Sequence, residues 1–335
     1  MVSVLMVTYN HENFISQAIE GVLMQKTKFP IELIIGEDCS TDNTRKICLE
    51  YKEKYPDRIK LLLPEKNLGA QQNFLETVNV CQGKYIALCE GDDYWTDSYK
   101  LQKQVDFLEA NEDYGFVYTD VDFFYQATKS FQKGVFKNNI IQRTHNFEEH
   151  LIRRGYLAPC TWIFRKELLA VVDWSLISTD GTFAIMLDWF KNTKVYFYDE
   201  VTAVYRVSEG TASRPTDLKK RYNYEKGVFE TQKIYIERYN VTKCISNYIC
   251  TDAYFRLLRF AIEIQDTDFI TEAETFFAKN SLDFKVFLDS CTKLSILYED
   301  INKLHKELDK VRVSKAYRLG KFLLKPFSII KNARK

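Results

Sequence analysis

Residues 84–93 read KYIALCEGDD, a short apolar segment followed by a glycine and two aspartates. The segment Tyr85–Cys89 is rich in aliphatic and aromatic residues, which predicts a buried β-strand. Gly91, Asp92 and Asp93 then fall on the turn past the carboxyl end of that strand, where ligands bind in open α/β sheets. This stretch therefore predicts both a sheet and a site at its edge.

The two adjacent carboxylates give that site its chemistry. Like charges side by side are unfavourable unless a cation neutralises them, and a divalent metal prefers oxygen ligands. A metal held in this way commonly neutralises a diphosphate. The alternative is an acidic turn that precedes a helix capped by Thr96 or Asp97.

The first 120 residues alternate strand-like apolar runs with amphipathic, helix-like runs. Such alternation predicts a mostly parallel sheet covered by helices. The strand-like runs are Val2–Val7, Ile31–Gly36, Ile59–Leu63 and Tyr85–Cys89; the helix-like runs are Glu12–Met24, Asp42–Lys54 and Gln71–Val80.

Later residues extend this sheet and then become helical. Strand-like pieces occur at Gly115–Thr119, Trp162–Phe164 and Val195–Tyr198, whereas apolar spacing is helical from residue 218 to 308. The loop 209–217 separates the two patterns. The predicted organisation is an α/β domain over 1–215, a helical region over 216–310 and a tail over 311–335.

Composition is that of a globular protein, with 335 residues, 46% hydrophobic residues and a net charge of +1. Its eight cysteines show no CxxC spacing, so neither a zinc site nor a disulfide framework is predicted. The four histidines have no metal-ligand spacing, and no P-loop is present. The first apolar run is too short for a signal peptide, and we expect a cytoplasmic protein.

Two further polar clusters follow strands at the same sheet edge. Tyr9 and Asn10 follow the first strand, and Glu37 and Asp38 follow the second. An aromatic ring beside a carboxylate suits a pyrimidine base, because the ring stacks on the base while the carboxylate accepts its N–H. The alternatives are packing for Tyr9 and helix capping for Asp38 or Ser40.

Four segments together resemble the family 2 glycosyltransferases, which have the GT-A fold. They are SVLMVTYNHENFISQAIEGVLMQ from Ser3, IELIIGEDCSTDNT from Ile31, NLGAQQNF from Asn67 and KYIALCEGDDYW from Lys84. The resemblance covers about the first 210 residues and implies a mixed, mostly parallel sheet with helices on both faces. Two departures are Glu37, where the family usually has Asp, and Cys39, where it often has Gly.

The resemblance also implies roles for individual residues. Tyr9 would stack on the base, Asp38 would bind it, and Asn10 and Asn67 would belong to the nucleotide site. Asp92 would contact the nucleotide sugar or the metal, and Asp93 would be a metal ligand. The metal would be Mn²⁺ or Mg²⁺, and the donor a nucleotide-diphospho-sugar with uridine as its base.

In the sugar transfer that the resemblance implies, an acceptor hydroxyl attacks the anomeric carbon of the donor sugar. A general base is needed to remove the proton of that hydroxyl. By resemblance, this base is Asp180 in STDGTFAIMLDWF, and Asp188 is the competing candidate. Arg206 would steady the diphosphate with its guanidinium, or form a structural salt bridge. Related sequences often carry a His two residues after this Arg, where this chain has Ser208, so a third metal contact is not identified.

These features predict an inverting, metal-dependent transfer of one sugar. Processive members carry a QxxRW signature, and no Arg-Trp dipeptide occurs here. One alternative is a sugar nucleotidyltransferase, but VTYNHENF lacks its glycine-rich basic loop. The other is a non-catalytic partner in glycan assembly, against which the retained acidic residues argue.

The tail 311–335 interleaves basic with apolar residues, and residues 310–335 contain nine basic and no acidic residues. Such a segment suits the surface of an anionic membrane, although a solvated or packed terminal helix is the alternative. We therefore expect a peripheral protein on the inner face of the cytoplasmic membrane, with a glycan or lipid-linked acceptor. Nucleic acid is not an expected partner, since the body offers no basic patch.

Overall fold

The computed structural model describes residues 1–176, 181–208 and 217–280. The strands in these ranges are β1 (Val2–Thr8), β2 (Ile31–Glu37), β3 (Ile59–Leu62), β4 (Tyr85–Leu88), β5 (Tyr94–Trp95), β6 (Tyr114–Tyr125), β7 (Ser130–Gln132), β8 (Ile163–Arg165) and β9 (Lys194–Val207). The α-helices are α1 (Ile15–Leu23), α2 (Thr44–Lys54), α3 (Ala70–Asn79), α4 (Lys100–Ala110), α5 (Phe147–Arg153), α6 (Gly181–Asn192), α7 (Leu218–Arg238), α8 (Lys243–Glu263) and α9 (Thr267–Lys279).

The strands form one sheet in the order β3-β2-β1-β4-β8-β6-β9-β5, and β7 pairs with β6. Val4 of β1 pairs in parallel with Leu33 of β2 and Ala87 of β4. Because β8 is antiparallel to both β4 and β6, and β9 is parallel to β6, six of these strands run in one direction. The predicted mixed, mostly parallel sheet is confirmed.

Helices cover both faces of the sheet. The step from β1 to β2 moves across the sheet in the opposite direction to the step from β3 to β4. Since crossover connections are right-handed, α1 and α3 lie on opposite faces. In α1 the buried residues are Ile15, Ala18, Ile19 and Val22, the spacing of one helix face packed on the sheet.

The later strands are longer than the sequence pattern indicates. β6 has 12 residues and β9 has 14, and their parallel pairing is interrupted by register shifts near Asp120. The acidic turn leads into the short strand β5 before α4 begins at Lys100. The N-cap position of α4 is Tyr99, without a side-chain capping bond, so the predicted alternative of a cap by Thr96 or Asp97 is wrong.

The chain separates into two compact units, Met1–Ile249 and a second one that begins at Cys250. Val228 and Tyr235 of α7 belong to the hydrophobic core of the first unit. That unit therefore ends later than the boundary predicted at residue 215. The described part of the second unit is helical, and Tyr254, Phe269 and Phe276 pack their rings together there.

Two predictions fall outside the described residues: Asp180 and the membrane-binding tail over 311–335. The helix predicted after Asp180 is α6. None of the helices in the part of the chain that the structure describes has the length and apolarity needed to cross a membrane.

Candidate active site

The turn between β4 and β5 carries three carboxylates, those of Glu90, Asp92 and Asp93. Its backbone is fixed against the end of β1, since the N–H of Gly91 donates to the carbonyl of Val7 at 3.0 Å. A Cβ on Gly91 would lie 2.6 Å from the Cβ of Thr8. Only glycine fits at this close approach.

The three carboxylates have different surroundings. Asp93 is 2% exposed, and its Oδ1 accepts the backbone N–H of Arg206 at 2.8 Å. The side chain of Asp92 is 29% exposed, and its Oδ2 lies 4.0 Å from Nε2 of His11. Glu90 is half-buried as a residue, but its Oε2 is buried and has no partner among the described residues.

Burial and mutual repulsion raise the proton affinity of the turn. Burial first, and the charge of Asp92 second, raise the pKa of Glu90 to about 7. Burial, followed by the charges of Asp92 and Glu90, raises the pKa of Asp93 well above its usual range. A cation beside the turn would relieve both effects.

The carboxylates of the turn suit a divalent cation that takes its remaining ligands from a bound phosphate. Within the described ranges no group of three or more His, Cys, Asp or Glu side chains is arranged to hold a metal ion. Mg²⁺ is typically held by one or two carboxylates plus substrate phosphates rather than by an all-protein cage. The exposed Asp92 and the unpartnered oxygen of Glu90 meet that requirement, whereas Asp93 already binds Arg206.

Glu90 is the functional candidate that the sequence analysis missed. Glu90 lies between the predicted strand Tyr85–Cys89 and the adjacent pair Asp92 and Asp93, and it was assigned to neither. The signal was present in the spacing, because Glu90 and Asp92 are separated only by Gly91. Because the N–H of Asp93 donates to the carbonyl of Glu90 at 3.1 Å, Glu90 and Asp92 lie in one tight turn, which keeps their carboxylates near each other.

Tyr9 and Asn10 lie at the end of β1, as predicted. Tyr9 is 41% exposed, so its ring is available to a ligand. Asn10 has a positive φ of 56°, its N–H donates to Ser40 at 2.9 Å, and its Oδ1 accepts the N–H of Thr41 at 2.8 Å. Asn10 therefore ties the ends of β1 and β2 together and holds the backbone next to Tyr9.

Asp38 and Asn67 are brought together at the end of β2. Asp38 is 2% exposed, and its two oxygens accept the N–H groups of Leu68 at 2.7 Å and Gly69 at 3.0 Å. Asn67 donates to the carbonyl of Asp38 at 2.9 Å. Asp38 does not cap α2; it shapes the loop that leads into α3, and this loop borders the edge where a base would bind.

Glu37, the departure from the family pattern, has a structural partner. It is fully buried, forms an ion pair with Arg45, and accepts the N–H of Ser40 at 2.7 Å. Buried charges are retained where they are paired and hydrogen-bonded. Glu37 thus fixes the turn on which Asp38 and Ser40 lie.

Arg206 is 9% exposed and lies near the end of β9. Its guanidinium bonds to the side-chain oxygen of Gln17 and lies over the rings of Tyr94 at 4.8 Å and Phe14 at 4.9 Å. Burial lowers the pKa of this arginine, and the neighbouring Asp92 and Asp93 oppose that shift. Its backbone, rather than a side-chain salt bridge, contacts the acidic turn.

Asp188, the competitor for the role of base, is buried within α6. It is 2% exposed, accepts the N–H of Asp173 at 2.9 Å, and lies 3.9 Å from Arg238. Burial raises its pKa. These contacts give Asp188 a structural role and leave Asp180 as the remaining candidate for the base.

A cavity of 530 Å³ lies between the sheet, α3 and α6; we call it the α3-side cavity. Its lining includes Glu90, Phe74, Trp162 and Gly181. Since Gly181 and Glu90 both line it, the start of α6 and the acidic turn border the same space; in the sequence, Gly181 is preceded by Asp180. Its size is that of a small-molecule site.

Comparison with known proteins agrees with this geometry. A model of glycosyl transferase family 2 matches residues 3–172. The chain belongs to family 2 of the glycosyltransferases. The matched range contains the acidic turn, Tyr9, Asp38 and the loop at Asn67.

Relatives of the glycosyltransferase match part of its length. An uncharacterized protein of Mycobacterium tuberculosis is 44% identical over 109 residues, 32% of this chain and 32% of that protein. The UDP-Glc:alpha-D-GlcNAc-diphosphoundecaprenol beta-1,3-glucosyltransferase WfgD of Escherichia coli is 37% identical over 111 residues, 33% of this chain and 42% of that protein. The matches thus span about a third to two-fifths of these curated relatives.

Solved structures confirm the GT-A fold. TarS of S. aureus in complex with UDP-GlcNAc matches with a TM-score of 0.54 and 19% identity, over 78% of this chain and 72% of that one. The mannosyltransferase PcManGT of Pyrobaculum calidifontis, in complex with GDP-Man and Mn²⁺, matches with a TM-score of 0.55 and 15% identity, over 95% and 82%.

Proposed function

We propose that this glycosyltransferase is an inverting, metal-dependent enzyme that transfers one sugar from a nucleotide-diphospho-sugar to an acceptor hydroxyl. The observation that carries the proposal is the acidic turn, where the unpartnered Glu90 lines a cavity that also meets the start of α6, and the partly exposed Asp92 lies two residues further along the same turn. UDP is the proposed nucleotide. Support comes from the UDP-GlcNAc complex of TarS, and the GDP-Man complex of PcManGT makes GDP the alternative to test.

The base would bind at the corner formed by β1 and β2. Tyr9 supplies an exposed ring for stacking, and Asp38 lies at the same sheet edge. Each carboxylate oxygen has two lone pairs, so the bonds from Leu68 and Gly69 leave Asp38 able to accept the ring N–H of uracil. Asn10 and Asn67 hold this corner in shape.

The diphosphate would lie against the acidic turn. Asp92 and Glu90 would hold Mn²⁺ or Mg²⁺ there, and the bound cation would make the nucleoside diphosphate a better leaving group. Asp93 supports the turn from beneath through its bond to Arg206. This assignment replaces Asp93 by Glu90 in the predicted pair of metal ligands.

Asp180 is the proposed general base. It precedes Gly181, which lines the α3-side cavity together with Glu90. A carboxylate in this position would take the proton of the acceptor hydroxyl as the hydroxyl attacks the anomeric carbon opposite the leaving diphosphate. That geometry inverts the configuration at the anomeric carbon.

The proposed acceptor is a glycan or lipid-linked saccharide in surface polysaccharide or glycan assembly. The name of WfgD describes a diphosphoundecaprenol-linked acceptor, which supports the lipid-linked form. A chain that ends at residue 310 tests the membrane contact. Vesicles of phosphatidylglycerol should sediment the full chain and leave the shortened chain in the supernatant; equal sedimentation would refute a role for the tail.

The activity test is release of nucleoside diphosphate from UDP-Glc, UDP-GlcNAc and GDP-Man, with extracted bacterial membrane lipids as the source of acceptors. We expect release from one donor with Mn²⁺, a sugar-modified lipid detected by mass spectrometry, and loss of both with EDTA. Formation of a nucleotide sugar from sugar phosphate would instead identify a nucleotidyltransferase. Binding of a donor with no product from any acceptor fraction would favour a non-catalytic partner.

A further inference from the structure

A second cavity lies at the start of α1 and the ends of β6 and β9; we call it the α1-side cavity. Its volume is 600 Å³, and its lining includes Asn13, Phe14, Gln17, Phe124, Lys129 and Arg206. Lys129 is exposed on the turn between β6 and β7, whereas Arg206 is nine-tenths buried. The lining thus combines one buried cation with one exposed cation, whose Nζ donates to the side-chain oxygen of Gln126 at 2.9 Å.

Arg206 has hydrogen-bonding capacity that the described residues do not use. Its Nε is buried without a hydrogen-bond partner, and its side chain has one acceptor, the amide oxygen of Gln17. A guanidinium carries five N–H donors in a planar fork. Leaving such a donor buried and unpaired is costly, and an oxyanion with two oxygens satisfies two donors at once.

The charges around the α1-side cavity favour an anion. Among the residues that the structure describes, its lining contains no Asp or Glu. α1, which starts beside the cavity, has no acidic residue in its first turn and no side-chain cap at Phe14, so its own first turn places no carboxylate at its positive end. The negative charges of Asp92 and Asp93 in the acidic turn favour the charged form of Arg206. Asp93 also accepts a hydrogen bond from the backbone N–H of this arginine.

The two cavities lie on opposite faces of the sheet. The α3-side cavity is lined by α3 and α6, and the α1-side cavity by α1, which covers the other face. None of the described residues lines both. The acidic turn joins them, because Glu90 lines the first cavity and Asp93 bonds to the backbone of Arg206, which lines the second.

We propose that the α1-side cavity is an acceptor subsite that binds an oxyanion, a phosphate or a carboxylate carried by the glycosyl acceptor, through Arg206 and Lys129. This inference rests on the proposed function: the acceptor hydroxyl would react beside Asp180, while the oxyanion of the same acceptor would bind on the other side of the acidic turn. It replaces the predicted contact of Arg206 with the donor diphosphate. A planar guanidinium selects an oxyanion geometrically, and the lysine adds charge at the rim.

The test is a calorimetric titration of the full chain saturated with UDP and Mn²⁺. The probes are geranyl diphosphate, for a lipid diphosphate, and glucuronate, for an acidic sugar; geraniol and glucose are the neutral controls. We expect one anionic probe to bind without displacing UDP, and which one binds identifies the source of the oxyanion. Arg206→Gln should weaken that probe by about tenfold or more.

Matched variants separate this inference from the proposed function. Lys129→Gln changes an exposed side chain, so it should not affect folding, and it should weaken binding of the anionic probe a few-fold. Arg206→Lys keeps the charge but not the planar fork, so its loss of probe affinity should be intermediate. Lys46→Gln, on the exposed face of α2, should change the affinity for neither UDP nor the anionic probe. UDP affinity should stay near wild type in all of them.

Three results would overturn the inference: competition between the anionic probe and UDP, an equal loss of UDP affinity in Arg206→Gln, or no binding of either anion to the UDP-loaded chain. Failure of wild-type protein to bind any nucleoside diphosphate would instead refute the proposed function. In that case titration of the chain without UDP, with the same anionic probes, still tests whether the α1-side cavity binds an anion. Loss of anion binding in Lys129→Gln would then support the subsite alone.

Discussion

The backbone N–H of Arg206 donates to Oδ1 of Asp93 across a distance of 2.8 Å, which joins the end of β9 to the acidic turn after β4. One carboxylate of the turn is therefore structural. Glu90 and Asp92 remain for a ligand, and they lie on the two sides of Gly91, which has no room for a side chain.

Charge-removing substitutions should separate these roles. Glu90→Gln and Asp92→Asn should each weaken Mn²⁺-dependent binding of UDP by about 10- to 100-fold, since each removes a charged oxygen beside the proposed cation. Asp93→Asn keeps an oxygen that accepts from Arg206 and should bind UDP much as wild type does. Calorimetry with each variant checks this. Retained metal dependence in Asp92→Asn would show that the turn is not the metal site.

A methyl group on Gly91 should disrupt the turn. Its Cβ would lie 2.5 Å from Oγ1 and 2.6 Å from Cβ of Thr8, so the turn must move. We expect Gly91→Ala to lower the free energy of unfolding by about 1–3 kcal/mol and to abolish UDP binding. Chemical denaturation gives the first quantity and calorimetry the second. Normal binding in a folded Gly91→Ala protein would mean that the turn geometry is not required.

The general base should affect turnover but not binding. Asp180→Asn should leave UDP affinity intact and lower the rate of sugar transfer by about 10²- to 10⁴-fold. Asp188→Asn should retain turnover, because Asp188 is buried and its oxygen accepts a backbone N–H that the amide oxygen of Asn also accepts. Steady-state rates of the two variants check this. The opposite ranking would make Asp188 the base.

His150 gives the stability of the protein a defined pH dependence. It is fully buried between Phe183 and Phe190, its Nδ1 lies 2.8 Å from Thr144, and burial lowers its pKa to about 3. Between the ordinary pKa near 6.5 and this value, the unfolded chain binds a proton that the folded chain does not. The free energy of unfolding should therefore fall with decreasing pH, by about 3 kcal/mol between pH 6.5 and pH 4.

Urea denaturation at several pH values measures that slope. His150→Gln removes the titrating ring, so the free energy of unfolding should depend less on pH in this variant. Its stability at pH 7 should be lower than that of the wild type, because Thr144 loses its ring partner. A slope in His150→Gln equal to that of the wild type would assign the acid sensitivity to other groups.

Much of the fold was predictable because its first half follows regular periods. The run Val2–Val7 was predicted as a strand and is β1, and the amphipathic run Glu12–Met24 contains α1, whose buried face repeats every three to four residues. β5 was missed because it has only two residues, Tyr94 and Trp95, and exists through pairing with β9. Propensity cannot reveal a strand that depends on a partner more than 100 residues away, as Tyr94 depends on Val204.

The site was predictable in position but less so in roles. Strand ends placed Tyr9, Asp38 and the acidic turn at one sheet edge, and the structure confirms that placement. Sequence did not reveal that Asp93 is engaged by the backbone of Arg206, since that bond joins residues far apart in the chain. For the same reason it could not show that Asp188 faces Asp173 and Arg238.

The most direct test of the central claim is binding of UDP and GDP to the wild-type chain, measured by calorimetry with Mn²⁺ and again with EDTA. If Glu90 and Asp92 hold a metal ion that binds the diphosphate, one nucleoside diphosphate should bind with micromolar affinity in Mn²⁺. That affinity should be lost in EDTA. Binding that is equally strong in EDTA, or no binding of either nucleotide, would contradict the account.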